Sequence, residues 1–131
     1  MKCGVLFVSG RPEDAHLLSR MLHALPLGLD HVESVGRAHA KLQMEDYDVV
    51  LTEAALPDGT WLDLLLLARG RSGGPEVIVT DPHADVRFWA EALNLGAYDL
   101  LPQPFYEPEV RRILSNACSR SAVDACRMAA V

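Results

Sequence analysis

The chain reads as an α/β domain, a single doubly wound (βα)5 sandwich built on a parallel sheet, and three observations predict it. Val5-Leu6-Phe7-Val8, Val49-Val50-Leu51 and Val77-Ile78-Val79 are short apolar runs of the kind used by strands buried on both faces of a parallel sheet. Between them, apolar residues recur at helical spacing. Strand and helix alternate along the chain, and parallel strands joined by right-handed crossovers put helices on both faces.

Each element has a local reason. Val5 to Val8 form the first strand, and Pro12, Glu13 and Asp14 suit the first turn of the helix after it. Leu17, Leu18, Met21, Leu22 and Leu25 carry that helix until Pro26 and Gly28 stop it. A second strand is expected near Asp30 to Val35, and a second helix near Arg37 to Met44 with Ala38, Leu42 and, at its end, Met44 inward. Asp48 to Thr52 is the third strand. Thr60 caps a third helix through Trp61 and Ala68, ended by Gly70. Val77 to Val79 is the fourth strand, followed by a helix on which Val86, Trp89, Ala90 and Leu93 share the expected inward face, ended by Gly96. Tyr98 to Leu101 is the fifth strand. Pro102-Gln103-Pro104 turns the chain into a last helix that puts Val110, Ile113, Leu114 and Ala117 inward.

A length of 131 residues suits one domain with a real core, and half the residues are hydrophobic. A net charge of -6 argues against direct nucleic-acid binding, which wants clustered Lys and Arg. No apolar run approaches the roughly 20 residues that span a bilayer, and Ser9-Gly10-Arg11-Pro12 ends the first apolar run too early for a secretion signal. The three cysteines, Cys3, Cys118 and Cys126, are odd in number and lack metal-ligand spacing, which predicts reduced thiols in a cytoplasmic setting. The domain is expected to span 1–118, with 119–131 as a tail, helix extension or linker.

In open parallel sheets, chemistry sits in the crevice at the carboxyl ends of the strands. The third strand ends there on Glu53, with Pro57-Asp58-Gly59 closing the loop behind it. Four pieces in order now carry a resemblance: Val5-Leu6-Phe7-Val8 before the first helix, Glu53 with Pro57 four residues on, Leu95-Gly96-Ala97-Tyr98-Asp99, and Pro102-Gln103-Pro104-Phe105. Over residues 3 to 118 the chain resembles the receiver domain of two-component response regulators, the CheY-like family. That resemblance implies a flavodoxin-like sheet of order 2-1-3-4-5 and no enzymatic activity of the chain's own. It also implies transfer of a phosphoryl group from a histidine kinase to an aspartate ending the third strand. Two acids after the first strand would hold Mg²⁺, while a Thr or Ser and a Lys would grip the phosphoryl oxygens.

The expected pocket departs from that pattern throughout. The acidic pair falls on Ser9 and Gly10, the phosphoacceptor on Glu53, the hydroxyl on Asp81 with Thr80 turned to the opposite face, and the lysine on Gln103. The aromatic switch position is Leu100. No cofactor is expected, beyond weak Mg²⁺ binding through Glu53, Asp81 and backbone carbonyls. Arg11 is expected to ion-pair with Glu53 or Asp81 where the metal would sit.

The resulting reading is a pseudo-receiver that acts as a protein interaction module. Its partner would be an effector domain, kinase or regulator, or a second copy of the chain. One alternative is a switch at the Glu53/Asp81 pocket that responds to pH, a cation or a small ligand. A nucleotide- or flavin-binding protein is a weaker one, since the loop after the first strand has one glycine and two acids. Leu64, Leu66 and Leu67 on the third helix, with Phe88, Arg87, Asp99, Arg111 and Arg112 on the face of the fourth and last helices, are the candidate interface.

Overall fold

The computed structural model describes residues 2–70, 73–83 and 85–129, with side chains through residue 121; the side chain of Cys126 and residues 130 and 131 lie outside them. The elements are β1 (Cys3–Val8), α1 (Pro12–Met21), β2 (Leu27–Val32), α2 (Val35–Met44), β3 (Val49–Glu53), β4 (Ala55–Leu56), β5 (Gly59–Thr60), α3 (Trp61–Arg69), β6 (Glu76–Asp81), α4 (Val86–Leu95), β7 (Asp99–Pro102) and α5 (Glu107–Ala129). Five strands form one parallel sheet in the order β2-β1-β3-β6-β7, which is 2-1-3-4-5 when the small β4-β5 hairpin is set aside.

Strand alternation sorts the core into two layers. Val5, Phe7, Val49, Leu51, Ile78 and Leu101 face α1 and α5, where they meet Leu18, Val110, Ile113, Leu114 and Ala117. Leu6, Val8, Val50, Val77, Val79 and Leu100 face α2, α3 and α4, where they meet Ala38, Leu42, Trp61, Leu64, Leu65 and Ala92. Burying one such Leu or Ile stabilises the fold by about 2 kcal/mol.

Local chemistry fixes the helix starts. Ser34 caps α2 by accepting from the Arg37 N–H (3.1 Å). Thr60 caps α3 as expected, within a capping box in which the Asp63 carboxylate accepts from the Thr60 N–H (2.9 Å). Asp85 caps α4 through the Phe88 N–H (2.8 Å).

Five expectations need correction. Ala38 and Leu42 are buried, but Met44, on the last turn of α2, points into solvent and is 81% exposed. The second strand is Leu27–Val32 rather than 30–35, because pairing with β1 begins at Cys3↔Leu27 and puts Leu27 and Leu29 against the core. Helix α1 stops at Met21, and Ala24 follows it in a left-handed conformation (φ 72°). The loop after β3 folds into the β4-β5 hairpin. Helix α4 is turned about its axis from the expected face. Ala92 is buried and Phe88 packs against the core, while Val86 and Trp89 are 83% and 40% exposed and Leu93 is also exposed. Apolar residues lie on both sides of α4, so periodicity alone does not choose between them.

Candidate functional site

The carboxyl ends of β1, β3, β6 and β7 meet in one crevice, and parity along each strand decides which side chains enter it. Glu53 follows Val49 and Leu51 on the face toward α1 and α5. By the same count Ser9 follows Val5 and Phe7, Thr80 follows Ile78, and Gln103 follows Leu101. Register agrees, since Glu53 pairs with Thr80.

The group is joined by hydrogen bonds in two halves. The buried Ser9 hydroxyl donates to Glu53 Oε1 and accepts from the Arg11 N–H (3.0 Å). His31 Nε2 donates to the Ser9 carbonyl (2.8 Å), and a carbonyl only accepts, so the ring carries its proton there. Across the crevice the buried Thr80 hydroxyl donates to the Leu101 carbonyl (2.7 Å) and accepts from Gln103 Nε2 (3.0 Å). The Gln103–Pro104 peptide is cis. A cavity of about 320 Å³ opens between the halves, lined by Arg11, Glu53, Thr80, Asp81, His83 and Gln103.

Two sequence expectations fail here. Thr80, not Asp81, shares the face of Glu53, so the hydroxyl assignment was one residue off. Asp81 has the opposite parity, and its Oδ1 accepts from the His83 N–H (2.8 Å), which shapes the turn before α4 rather than capping the helix. The ion pair expected of Arg11 is absent among the described residues. Ser9 satisfies Glu53 instead, and the exposed Arg11 side chain lines the cavity mouth. Sequence reasoning missed Ser9 as the partner of Glu53. The signal was available, because β1 and β3 are neighbours in the sheet, and with Val8 beside Thr52 the next residues, Ser9 and Glu53, fall side by side.

No family model matches the chain. It is 29% identical over 112 residues to the response regulator protein PilR of Pseudomonas aeruginosa, a match covering 86% of this chain and 25% of PilR. It is 31% identical over 104 residues to the transcriptional regulatory protein KdpE of Staphylococcus aureus, covering 76% and 44%. The chain thus spans less than half the length of either relative. In structure it matches the signal receiver domain of a LuxO-type repressor protein from Vibrio parahaemolyticus with a TM-score of 0.89 at 20% identity, over 96% of this chain and 97% of that one. The fold is that of CheY-like receiver domains, and the relatives are response regulators.

The crevice does not fit the Mg²⁺ that a receiver fold implies. A hard cation wants several carboxylate and carbonyl oxygens at once. Here Ser9 and Gly10, just past β1, bring no carboxylate, Ser9 occupies one oxygen of Glu53, and Asp81 lies on the other parity with an oxygen engaged by His83.

The surface expectations also shift. Leu64 is buried and Leu67 packs against the core, so of the three leucines only Leu66 is outward (68% exposed), accompanied by Leu62. Phe88 belongs to the core side, and Leu100 is buried beside Ala92 and Ala97. Arg111 reaches away from α4, donating to the carbonyls of Met21 and His23 at the end of α1 (3.2 Å each). Asp99 accepts from the Leu100 N–H (2.7 Å), Arg112 pairs with Glu109 on its own helix (3.8 Å), and Arg87 is exposed on α4. Cys3 and Cys118, expected as free thiols, are joined in a disulfide.

Proposed function

We propose that this receiver domain works without an aspartyl phosphate, as a protein interaction module of bacterial two-component signalling in the cytoplasm. The observation that supports the reading is the crevice itself. Glu53 stands at the acceptor position, held by Ser9, and the neutral Gln103 amide occupies the hydroxyl of Thr80. Phosphoryl transfer depends on cations that neutralise the moving group, and the described crevice side chains offer only the exposed Arg11.

The test is intact-mass spectrometry after incubation with Mg²⁺ and acetyl phosphate. The wild type is expected to gain no phosphoryl mass. A variant carrying Ser9→Asp, Gly10→Asp, Glu53→Asp and Gln103→Lys, with Thr80 left in place, is expected to gain it. A side chain at Gly10 meets nothing within 4 Å, so that change fits. A phosphorylated wild type would overturn the reading.

The partner surface proposed is α4. Val86, Trp89, Ala90 and Leu93 form an outward apolar stripe at i, i+3, i+4 and i+7, suited to a protein partner such as a kinase, an effector domain or a second copy. A second reading is favoured by the open cavity, where Arg11, Glu53 and Asp81 converge on about 320 Å³. In it the crevice answers to pH, a cation or a small ligand. A thermal-shift screen of cations and small metabolites, repeated on Glu53→Gln, separates the two. A shift lost in the variant supports the second reading.

A further inference from the structure

Cys3 opens β1, and Cys118 directly follows Ala117, the last fully buried residue described on α5. Their sulfurs are bonded across 115 residues of chain, with Cα atoms 5.8 Å apart. Both residues are half-buried at the rim of the α1/α5 layer. One helical turn on, the Ser121 hydroxyl donates to Asp48 Oδ1 (3.2 Å), while Asp48 Oδ2 accepts from the Gly4 N–H (2.8 Å). A covalent bond and a hydroxyl–carboxylate bond therefore fasten α5 to the start of the sheet just where the helix leaves the core. The part of α5 before this joint does not need them. Val110, Ile113, Leu114 and Ala117 are buried in the core.

We propose that Cys3–Cys118 is a reversible thiol–disulfide site that fastens or releases the part of α5 beyond Ala117. The inference rests on the cytoplasmic setting proposed above, and not on whether the crevice takes a phosphoryl group. Disulfides in a reducing compartment are chiefly transient and regulatory. A bond that fastens a helix without making its core contacts is suited to such use.

The reductant is a dithiol of the thioredoxin class. Its thiolate attacks one Sγ, forming a mixed disulfide and breaking the Cys3–Cys118 bond, and the other cysteine leaves as a thiolate and takes a proton. The second thiol of the reductant, deprotonated, then displaces the first cysteine, which leaves and is protonated in turn. The protein gains two electrons and two protons, and the dithiol loses them as it becomes a disulfide.

The test uses the full chain, oxidised with glutathione disulfide and then reduced natively with dithiothreitol. Alkylation with N-ethylmaleimide after denaturation counts free thiols by mass. The oxidised protein is expected to offer only Cys126, and the reduced protein all three cysteines. Amide hydrogen exchange in 119–129 is expected to quicken at least about tenfold on reduction, with 107–117 unchanged. Cys118→Ser should show the fast exchange in both states, and Cys126→Ser should behave as wild type. Three free thiols after oxidation, resistance to dithiothreitol, or equal exchange in 119–129 before and after reduction would each overturn the proposal. So would loss of the whole fold on reduction, which would make the bond a structural staple.

Discussion

Helices α3 and α4 lie on the same side of the sheet and have similar length, yet they use their apolar residues in opposite ways. Helix α3 turns Trp61, Leu64, Leu65 and Ala68 into the core and begins in a capping box. Helix α4 fully buries only Ala92, adds a half-buried Phe88, and leaves Val86, Trp89 and Leu93 in water. A helix that the core requires is specified by its inward face. A helix that merely closes the edge of a layer is free to carry apolar groups on its other side, and those groups are then available to a partner.

The sharpest way to break the comparison is to cut a methylene cluster from α3. Leu64→Ala is expected to destabilise the fold by about 3 kcal/mol, read as a lowered urea midpoint, because Leu64 is fully buried and its site cannot collapse freely. Gly96→Ala strikes the joint between the two helices. Gly96 has φ 122°, and a Cβ there would run into the Arg69 guanidinium, which donates to the Leu95 carbonyl. A loss of roughly 1–3 kcal/mol is expected. Thr60→Ala removes the α3 cap and should cost about 1 kcal/mol by the same measurement.

A pH series sharpens the α3 side further. Asp58, in the turn before α3, accepts from the N–H groups of Val35 and Gly36 (2.8 and 3.0 Å), and these bonds hold its carboxyl below the ordinary value of 3.8. A group depressed in the folded state stabilises above its unfolded pKa and loses that contribution as pH falls through the folded value. The acid limb of the stability curve below about pH 4 should therefore flatten in Asp58→Asn. The smallest effect on folding is expected on α4. Trp89→Ser should change stability by no more than about 0.5 kcal/mol while abolishing any self-association or partner capture seen for the wild type by sedimentation. A large stability loss would show that Trp89 belongs to the core after all.

The sheet was legible because buried parallel strands announce themselves as apolar runs, and Glu53 could be placed in the crevice from the strand that ends on it. The finer choices depended on parity and rotation. For Thr80 and Asp81 a step of one residue exchanges the faces of the sheet, and the apolar strand around them gives no internal mark. On α4 two apolar faces compete, and the one that carries Phe88 and Ala92 is the one packed against the core. Arg11 was expected to seek a carboxylate, but a shorter donor, Ser9, was already in reach of Glu53 and less costly to order. The disulfide joins residues 115 apart, and only the folded register of β1 against α5 brings them together.

The two hydrogen bonds of the Arg111 Nη1 group have a geometric consequence. That nitrogen donates at once to the carbonyl of Met21, which ends α1, and to that of His23 just beyond it, tying α5 to the end of α1. Turning α5 by the 100° of a single residue would sweep the guanidinium off both oxygens together.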